Sequence, residues 1–226
     1  MKLRRASVAA GLGAFALPAA AFGVINPFTE TFDSAMANWS AAASPFTPLS
    51  YPMSGGPDGS AYGSRMFSFA ASNPGDQPLM FRGQGNFGSS GNAFVGNWFT
   101  SGVTSLTFSV RHDGSGPIDF FARMSPEFGP GIVALLEAPV QPNTWTTFTV
   151  PILETTPFIY ETFPAPAFAT AFGNISRVQI GVLVGAGLAG QATPVTFDLD
   201  NVGIAPAPGA AALAGFGILA ALRRRR

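Results

Sequence analysis

The sequence predicts an all-β fold, a two-sheet antiparallel β-sandwich, from three observations. Short stretches in which apolar and polar residues alternate recur along the chain, which is the period of strands buried on one face. Clusters of Gly, Pro, Asn and Ser separate these stretches, with 27 Gly and 20 Pro among 226 residues. No segment between the two ends sustains a helical period, and charged residues are only 11% of the chain, which excludes coiled coils and helix bundles. With 47% apolar residues and 22 Phe, the chain can bury a core, so a charged disordered chain is excluded too.

In order, the expected strands are residues 28–33, 65–71, 79–82, 93–99, 103–111, 118–124, 132–137, 145–151, 175–184 and 194–204. Within 103–111, Leu106, Phe108 and Val110 share one face while Thr107, Ser109 and Arg111 take the other. Val178, Ile180, Val182 and Val184 repeat the pattern in 175–184. Two stretches are long for loops of a compact domain, 41–64 and 152–174, and long ordered loops often carry function. The second holds Phe158, Tyr160, Phe163, Phe168 and Phe172, most of which are expected to pack it onto the sandwich.

Both ends read as targeting segments. Residues 1–21 have the order of a secretory signal: a basic start from Met1 to Arg5, an apolar run of small residues to Leu17, then Pro18 and Ala19-Ala20-Ala21. The C-terminal end combines Pro206-Ala207-Pro208, an apolar run from Gly209 to Leu222, and Arg223, Arg224, Arg225 and Arg226. As a helix that run is about 21 Å long, short of the ~30 Å hydrocarbon core, so it suits transient residence in the inner membrane with its arginines on the cytoplasmic side. These three parts in this order resemble the sorting tail of the bacterial PEP-CTERM surface proteins, with Ala207 standing where the name-giving Glu would be. The resemblance implies a short transmembrane helix in the tail and processing by an exosortase-type transpeptidase after export. The implied destination is the cell surface or extracellular matrix of a Gram-negative-type bacterium. The expected organisation is therefore a signal peptide at 1–21, a β-sandwich at 22–205 and a sorting tail at 206–226.

The 12 basic and 12 acidic residues balance only formally. Lys2, Arg4, Arg5 and the four terminal arginines lie at the ends; the body keeps Arg65, Arg82, Arg111, Arg123 and Arg177 against all twelve acids, a balance of −7. A nucleic-acid partner is excluded on that ground, since phosphate binding needs clustered Lys and Arg. The absence of Cys excludes disulfides, Fe–S clusters, thiolate metal sites and a Cys nucleophile.

Catalytic motifs are weakly represented. His112 is the only histidine, so a multi-His metal site is excluded; no nucleophile-elbow sequence accompanies it, and it reads as a turn residue at a strand end. Gly83-Gln84-Gly85-Asn86-Phe87-Gly88 matches the dinucleotide fingerprint in letters, but Ser89-Ser90-Gly91-Asn92 follows it where a phosphate-binding helix is required. It reads as a glycine-rich connection. Glu127, Glu137, Glu154 and Glu161 are scattered, and nothing singles out a pair for glycoside hydrolysis. An aromatic ring beside polar groups suits a sugar, and Trp98, Tyr62, Tyr51 and Tyr160 lie in or next to polar loops. Trp98, Tyr62 and Tyr160 are the candidate ligand-binding residues, while Trp39 and Trp145 are assigned to the core. Asp198 and Asp200 project from one face of the last strand, where a cation or a basic partner would relieve their repulsion; the other reading is an exposed, solvated pair.

The body also resembles jelly-roll carbohydrate-binding modules. Phe32-Asp33-Ser34 followed by Trp39 looks like their opening segment, Pro57-Asp58-Gly59-Ser60 like an early turn, Trp145-Thr146-Thr147-Phe148-Thr149-Val150 like their Trp-Thr strand, and Phe197-Asp198-Leu199-Asp200-Asn201-Val202 like their closing strand. That resemblance implies a structural calcium ion joining the first and last strands, with Asp33 and Asp200 as ligands and Glu30 or Asp198 beside them. The expected function is a non-catalytic, exported protein that associates with extracellular polysaccharide. The alternatives are a structural matrix protein without a sugar site and a secreted glycan-degrading enzyme.

Overall fold

Residues 23–33 and 37–206 are described by a computed structural model. The expected signal segment and the tail beyond Pro206 lie outside the described residues. Ten strands form two antiparallel five-stranded sheets, the β-sandwich expected from the alternation and the jelly-roll class implied by the resemblance. Sheet A contains β1 (Phe28–Glu30), β2 (Gly63–Phe67), β4 (Val103–His112), β7 (Thr146–Pro151) and β10 (Val195–Pro206). Sheet B runs β3 (Leu79–Gln84), β9 (Arg177–Leu183), β5 (Asp119–Ser125), β6 (Ile132–Leu135), β8 (Ile159–Tyr160).

The alternation read in the sequence sets the faces. Leu106, Phe108 and Val110 of β4 and Val178, Ile180 and Val182 of β9 are fully buried between the sheets, where they meet Phe120, Phe197 and Trp39 in one continuous core. The opposite faces of both sheets point outward and carry the polar partners.

β10 organises sheet A. One edge pairs with β4; the other is shared end to end by β2, from Val195↔Phe67 to Leu199↔Gly63, and by β1, from Glu30↔Val202 to Phe28↔Ile204. Asp200 and Asn201 fall between those two partners. The register against β4 shifts between Asp200 and Gly203, and Asn201 takes a left-handed φ of 51°, the signature of a bulge. First and last strands thus meet beside the two aspartates.

Three features depart from the expected elements. Residues 93–99 form no strand: Phe94 and Trp98 are buried from a looped backbone whose sheet-like contact is the Gly96↔Ile175 bridge, with Trp98 N–H donating separately to the Phe172 carbonyl. The stretch 152–174 is an ordered connection containing β8 and a single helical turn, α1 (Phe168–Ala171). His112 is the last residue of β4 rather than a turn residue, and it is buried between Phe120 and Phe197. No helix among the described residues is long and apolar enough to cross a membrane.

The glycine motif after β3 has packing reasons. A Cβ on Gly83 would lie 2.7 Å from the Trp39 ring, one on Gly85 would lie 2.7 Å from the Ser176 hydroxyl, and Gly88 adopts φ +65°. Two 3₁₀ turns, Gly85–Phe87 and Ser89–Asn92, follow.

Candidate functional site

The outer face of sheet A assembles an aromatic and charged surface. Arg111 of β4 stands opposite Asp198 of β10 and points outward with it because Val110 and Leu199 take the core side. Its Nη2 lies 2.8 Å from Asp198 Oδ2, and its Nε donates to the same oxygen at 2.9 Å. Trp145, just ahead of β7, and Tyr62, just ahead of β2, meet edge to face with ring centroids 5.5 Å apart. The Arg111 guanidinium covers both rings, 4.7 Å from Trp145 and 5.1 Å from Tyr62. Gly55 in the loop above closes the group: its carbonyl accepts from Trp145 Nε1 at 2.9 Å and from Arg111 Nη1 at 3.2 Å. Both aromatic residues are half-buried, with part of each ring left at the surface.

This placement corrects the assignment of Trp145 to the core and keeps Tyr62 at the surface. Trp98 is also corrected as a ligand-binding residue. Its ring is 0% exposed, Nε1 donates to the Phe94 carbonyl at 2.7 Å, and it stacks on Phe172 at 6.4 Å, so no face is left for a sugar. Tyr160 sits on β8 of sheet B, half-buried against the core and lining a pocket of about 240 Å³ with Thr162 and Asn174. The three expected aromatics therefore do not converge.

The acidic residues divide into two environments. Asp198 and Asp200 are both buried, which corrects the reading of an exposed, solvated pair. Asp198 has the basic partner that repulsion called for, Arg111, although its Oδ1 lacks a hydrogen bond. Asp200 has no basic partner among the described residues. Ser60 Oγ donates to its Oδ2 at 3.0 Å and the Asn201 N–H to its Oδ1 at 2.7 Å. Burial pushes its carboxyl up to about 6, and the charges of Asp58 and Asp33 add to that direction. Asp33 accepts from Thr31 Oγ1 at 2.7 Å, and Glu30 accepts from the Phe32 N–H at 2.9 Å.

The donor chemistry at this corner suits a hard cation in part. Asp200 is a buried carboxylate without compensating charge, and Asp33 and Asp58 are close enough to repel it. Asp198 is committed to Arg111 instead. Among the described residues no three His, Asp or Glu side chains stand close enough to hold a metal by themselves; calcium also accepts backbone carbonyls and waters.

His112 is locked in a structural role. The Gly114 N–H donates to Nδ1 at 3.1 Å, so Nδ1 is the acceptor and Nε2–H donates to the Val140 carbonyl at 2.9 Å. Burial lowers its pKa, consistent with that neutral tautomer. Glu161 and Glu127 are engaged by Arg123 and Arg177.

Of the residues that form the surface, sequence reading missed Trp145 and the role of Arg111. The outward phase of Arg111 beside Thr107 and Ser109 was the available signal; its partner Asp198 lies 87 residues away.

No protein-family model matches the chain, and no curated protein matches it. Solved structures do. An exo-β-agarase matches at 12% identity over 81% of this chain and 25% of that one, with a TM-score of 0.50. The family 11 carbohydrate-binding module of a cellulosomal cellulase of Clostridium thermocellum matches at 13% identity over 82% and 97%, with a TM-score of 0.49. A xylanase of Clostridium thermocellum, comprising carbohydrate-binding and glycoside hydrolase modules and complexed with xylohexaose, matches at 16% identity over 78% and 28%, with a TM-score of 0.46. This chain thus spans about a quarter of the length of the agarase and xylanase chains. The agarase likeness, at its low identity, establishes a shared fold.

Proposed function

We propose that this chain is an exported, non-catalytic surface protein whose sandwich associates with extracellular polysaccharide through Tyr62, Trp145 and Arg111. The supporting observation is the partly exposed aromatic pair with one guanidinium over both rings. Aromatic rings give the apolar side of a pyranose a contact surface, and a positioned guanidinium beside them donates to hydroxyls. Asp198 and the Gly55 carbonyl already orient Arg111, so little ordering remains to oppose binding.

In this reading residues 1–21 direct export, 22–205 form the working domain and 206–226 form the sorting tail. Pro206, Pro208 and the arginines 223–226 are the features an exosortase-type enzyme would recognise during transient residence in the inner membrane. Calcium belongs to the proposal as a structural ion at Asp200 and Asp33, where it would neutralise a buried carboxylate at the junction of β1, β2 and β10.

Affinity electrophoresis of the full chain through gels containing the host exopolysaccharide and plant or algal glycans, with calcium or chelator, tests the proposal. Retardation by one glycan class is expected. Uniform mobility of folded protein overturns it and favours a structural matrix protein. That second reading has its own observation, a groove of about 490 Å³ between the edges of β6 and β7 lined by Leu135, Leu136, Phe148, Val150 and Leu153.

A further inference from the structure

In a body with a balance of −7, four of the five arginines gather around sheet B. Arg82, Gln179 and Arg123 stand in register across β3, β9 and β5, and Gln84, Arg177 and Ser125 form the next row. Paired residues of antiparallel strands project from one face. It is the outer face, because Gly83 between the two β3 residues abuts Trp39 and the neighbouring Val178, Ile180 and Ala122 are core. Arg65 reaches toward β3 from β2, with Nη1 donating to the Met80 carbonyl at 3.0 Å.

The four cations are unequally satisfied. Arg123 binds both oxygens of Glu161 at 2.6 Å and also donates to Gln179 Oε1 at 2.6 Å and Ser125 Oγ at 3.1 Å. Arg177 has Glu127 at 3.4 Å. Arg82 has neither a carboxylate nor any side-chain hydrogen bond among the described residues, and its Nε is buried without a partner. Gln84, on the same face two residues along, is 1% exposed and both of its amide atoms are unpartnered. Burial, with the charges of Arg65, Arg123 and Arg177, pushes Arg82 down to about 10, so the face as it stands is short of negative charge and of acceptors.

We propose that the outer face of sheet B around Arg82 is a binding site for an oxyanion borne on a polysaccharide, a uronic-acid carboxylate or a sulfate ester. A guanidinium fork matches either group with two parallel hydrogen bonds. Arg82 is the uncommitted donor, while Arg123, two strands away in the same row, is committed to Glu161. Phe128, 85% exposed and with the Arg177 guanidinium 5.9 Å from its ring, supplies an adjacent aromatic surface for the sugar that carries the charge. The choice of a polysaccharide rests on the glycan-associating reading above, but the surface is a different one from Tyr62 and Trp145.

The test compares retardation of the full chain in gels containing dextran, dextran sulfate or polygalacturonate, for wild type, Arg82→Gln, Arg82→Lys and Trp145→Ala, with melting curves to confirm folding. Expected is retention by dextran sulfate or polygalacturonate beyond dextran, weakened at least fivefold by Arg82→Gln, partly restored in Arg82→Lys and unchanged in Trp145→Ala. Whichever polymer retains the protein identifies sulfate or carboxylate as the anion. No retention by either polyanion, or equal retention of wild type and Arg82→Gln, overturns the anion site. A glycan retained through Trp145 without preference for acidic polymers would overturn it while leaving the glycan reading intact. Retention of the acidic polymers, lost in Arg82→Gln, together with no retardation by any neutral host, plant or algal glycan, sustains this site and overturns the Tyr62–Trp145 surface.

Discussion

Arg111 and Asp198 face each other across β4 and β10 with Nη2 and Oδ2 2.8 Å apart, and this pair fixes the guanidinium that covers Trp145 and Tyr62. One interaction thereby serves both stability and the proposed contact surface. Arg111→Ala would strand a carboxylate that is almost fully buried. Unfolding in urea at pH 7 should show a loss of about 3 kcal/mol, part of it recovered by adding Asp198→Asn. A loss below about 0.5 kcal/mol would mean that the pair is screened like an ordinary surface bridge.

Asp200 makes stability depend on pH. Its folded-state pKa, about 6, lies above the ordinary 3.8, so the folded state binds a proton that the unfolded chain has released across this interval. The resulting stabilisation is complete below about pH 4 and is lost as pH rises through about 6. In chelator, wild-type denaturation midpoints should fall relative to those of Asp200→Asn across that window. Calcium should raise the wild-type midpoint at pH 7 and leave that of Asp200→Asn unchanged; no response in wild type would remove the ion from the proposal.

His112 contributes a slope of opposite sign. Burial lowers its folded-state pKa below the ordinary 6.5, so its stabilisation is complete above about pH 6.5 and is lost as pH falls through the lowered value. In an Asp200→Asn background the acid limb below pH 6.5 should persist, and His112→Gln should remove it. A flat profile in the single Asp200→Asn variant would contradict the buried neutral imidazole.

Gly83 is fixed by packing rather than by phosphate chemistry. Gly83→Ala places a methyl 2.7 Å from the Trp39 ring and should cost about 1–3 kcal/mol. Gly116→Ala, with open space around its Cβ and no left-handed φ, is the control expected to stay within about 0.5 kcal/mol. Equal melting temperatures for the two variants would refute the contact.

The two sheets were legible because alternation in β4, β9 and β10 reports burial on one face directly. Residues 93–99 misled because their apolar residues are buried from a looped backbone, Trp98 inserting its ring while its N–H bonds the Phe172 carbonyl; period alone cannot distinguish that from a strand. The site was less legible for a different reason. Trp145 keeps the outward phase of Thr147 and Thr149 in β7, a signal outweighed by the bulk of its apolar ring, and Tyr62, Arg111 and Asp198 become neighbours only through sheet pairing. The Asp198–Asp200 repulsion was visible in the sequence, but its resolution, one carboxylate on Arg111 and the other left alone, depends on which strand lies alongside.

The most direct measurement is the retardation of wild type against Trp145→Ala in gels containing the neutral glycan that slows the wild-type protein most. Trp145 lies outside the core cluster, so the variant should melt close to wild type while its retention falls at least fivefold, with Tyr62→Ala behaving alike. Undiminished retention in both folded variants would contradict a glycan contact at this surface.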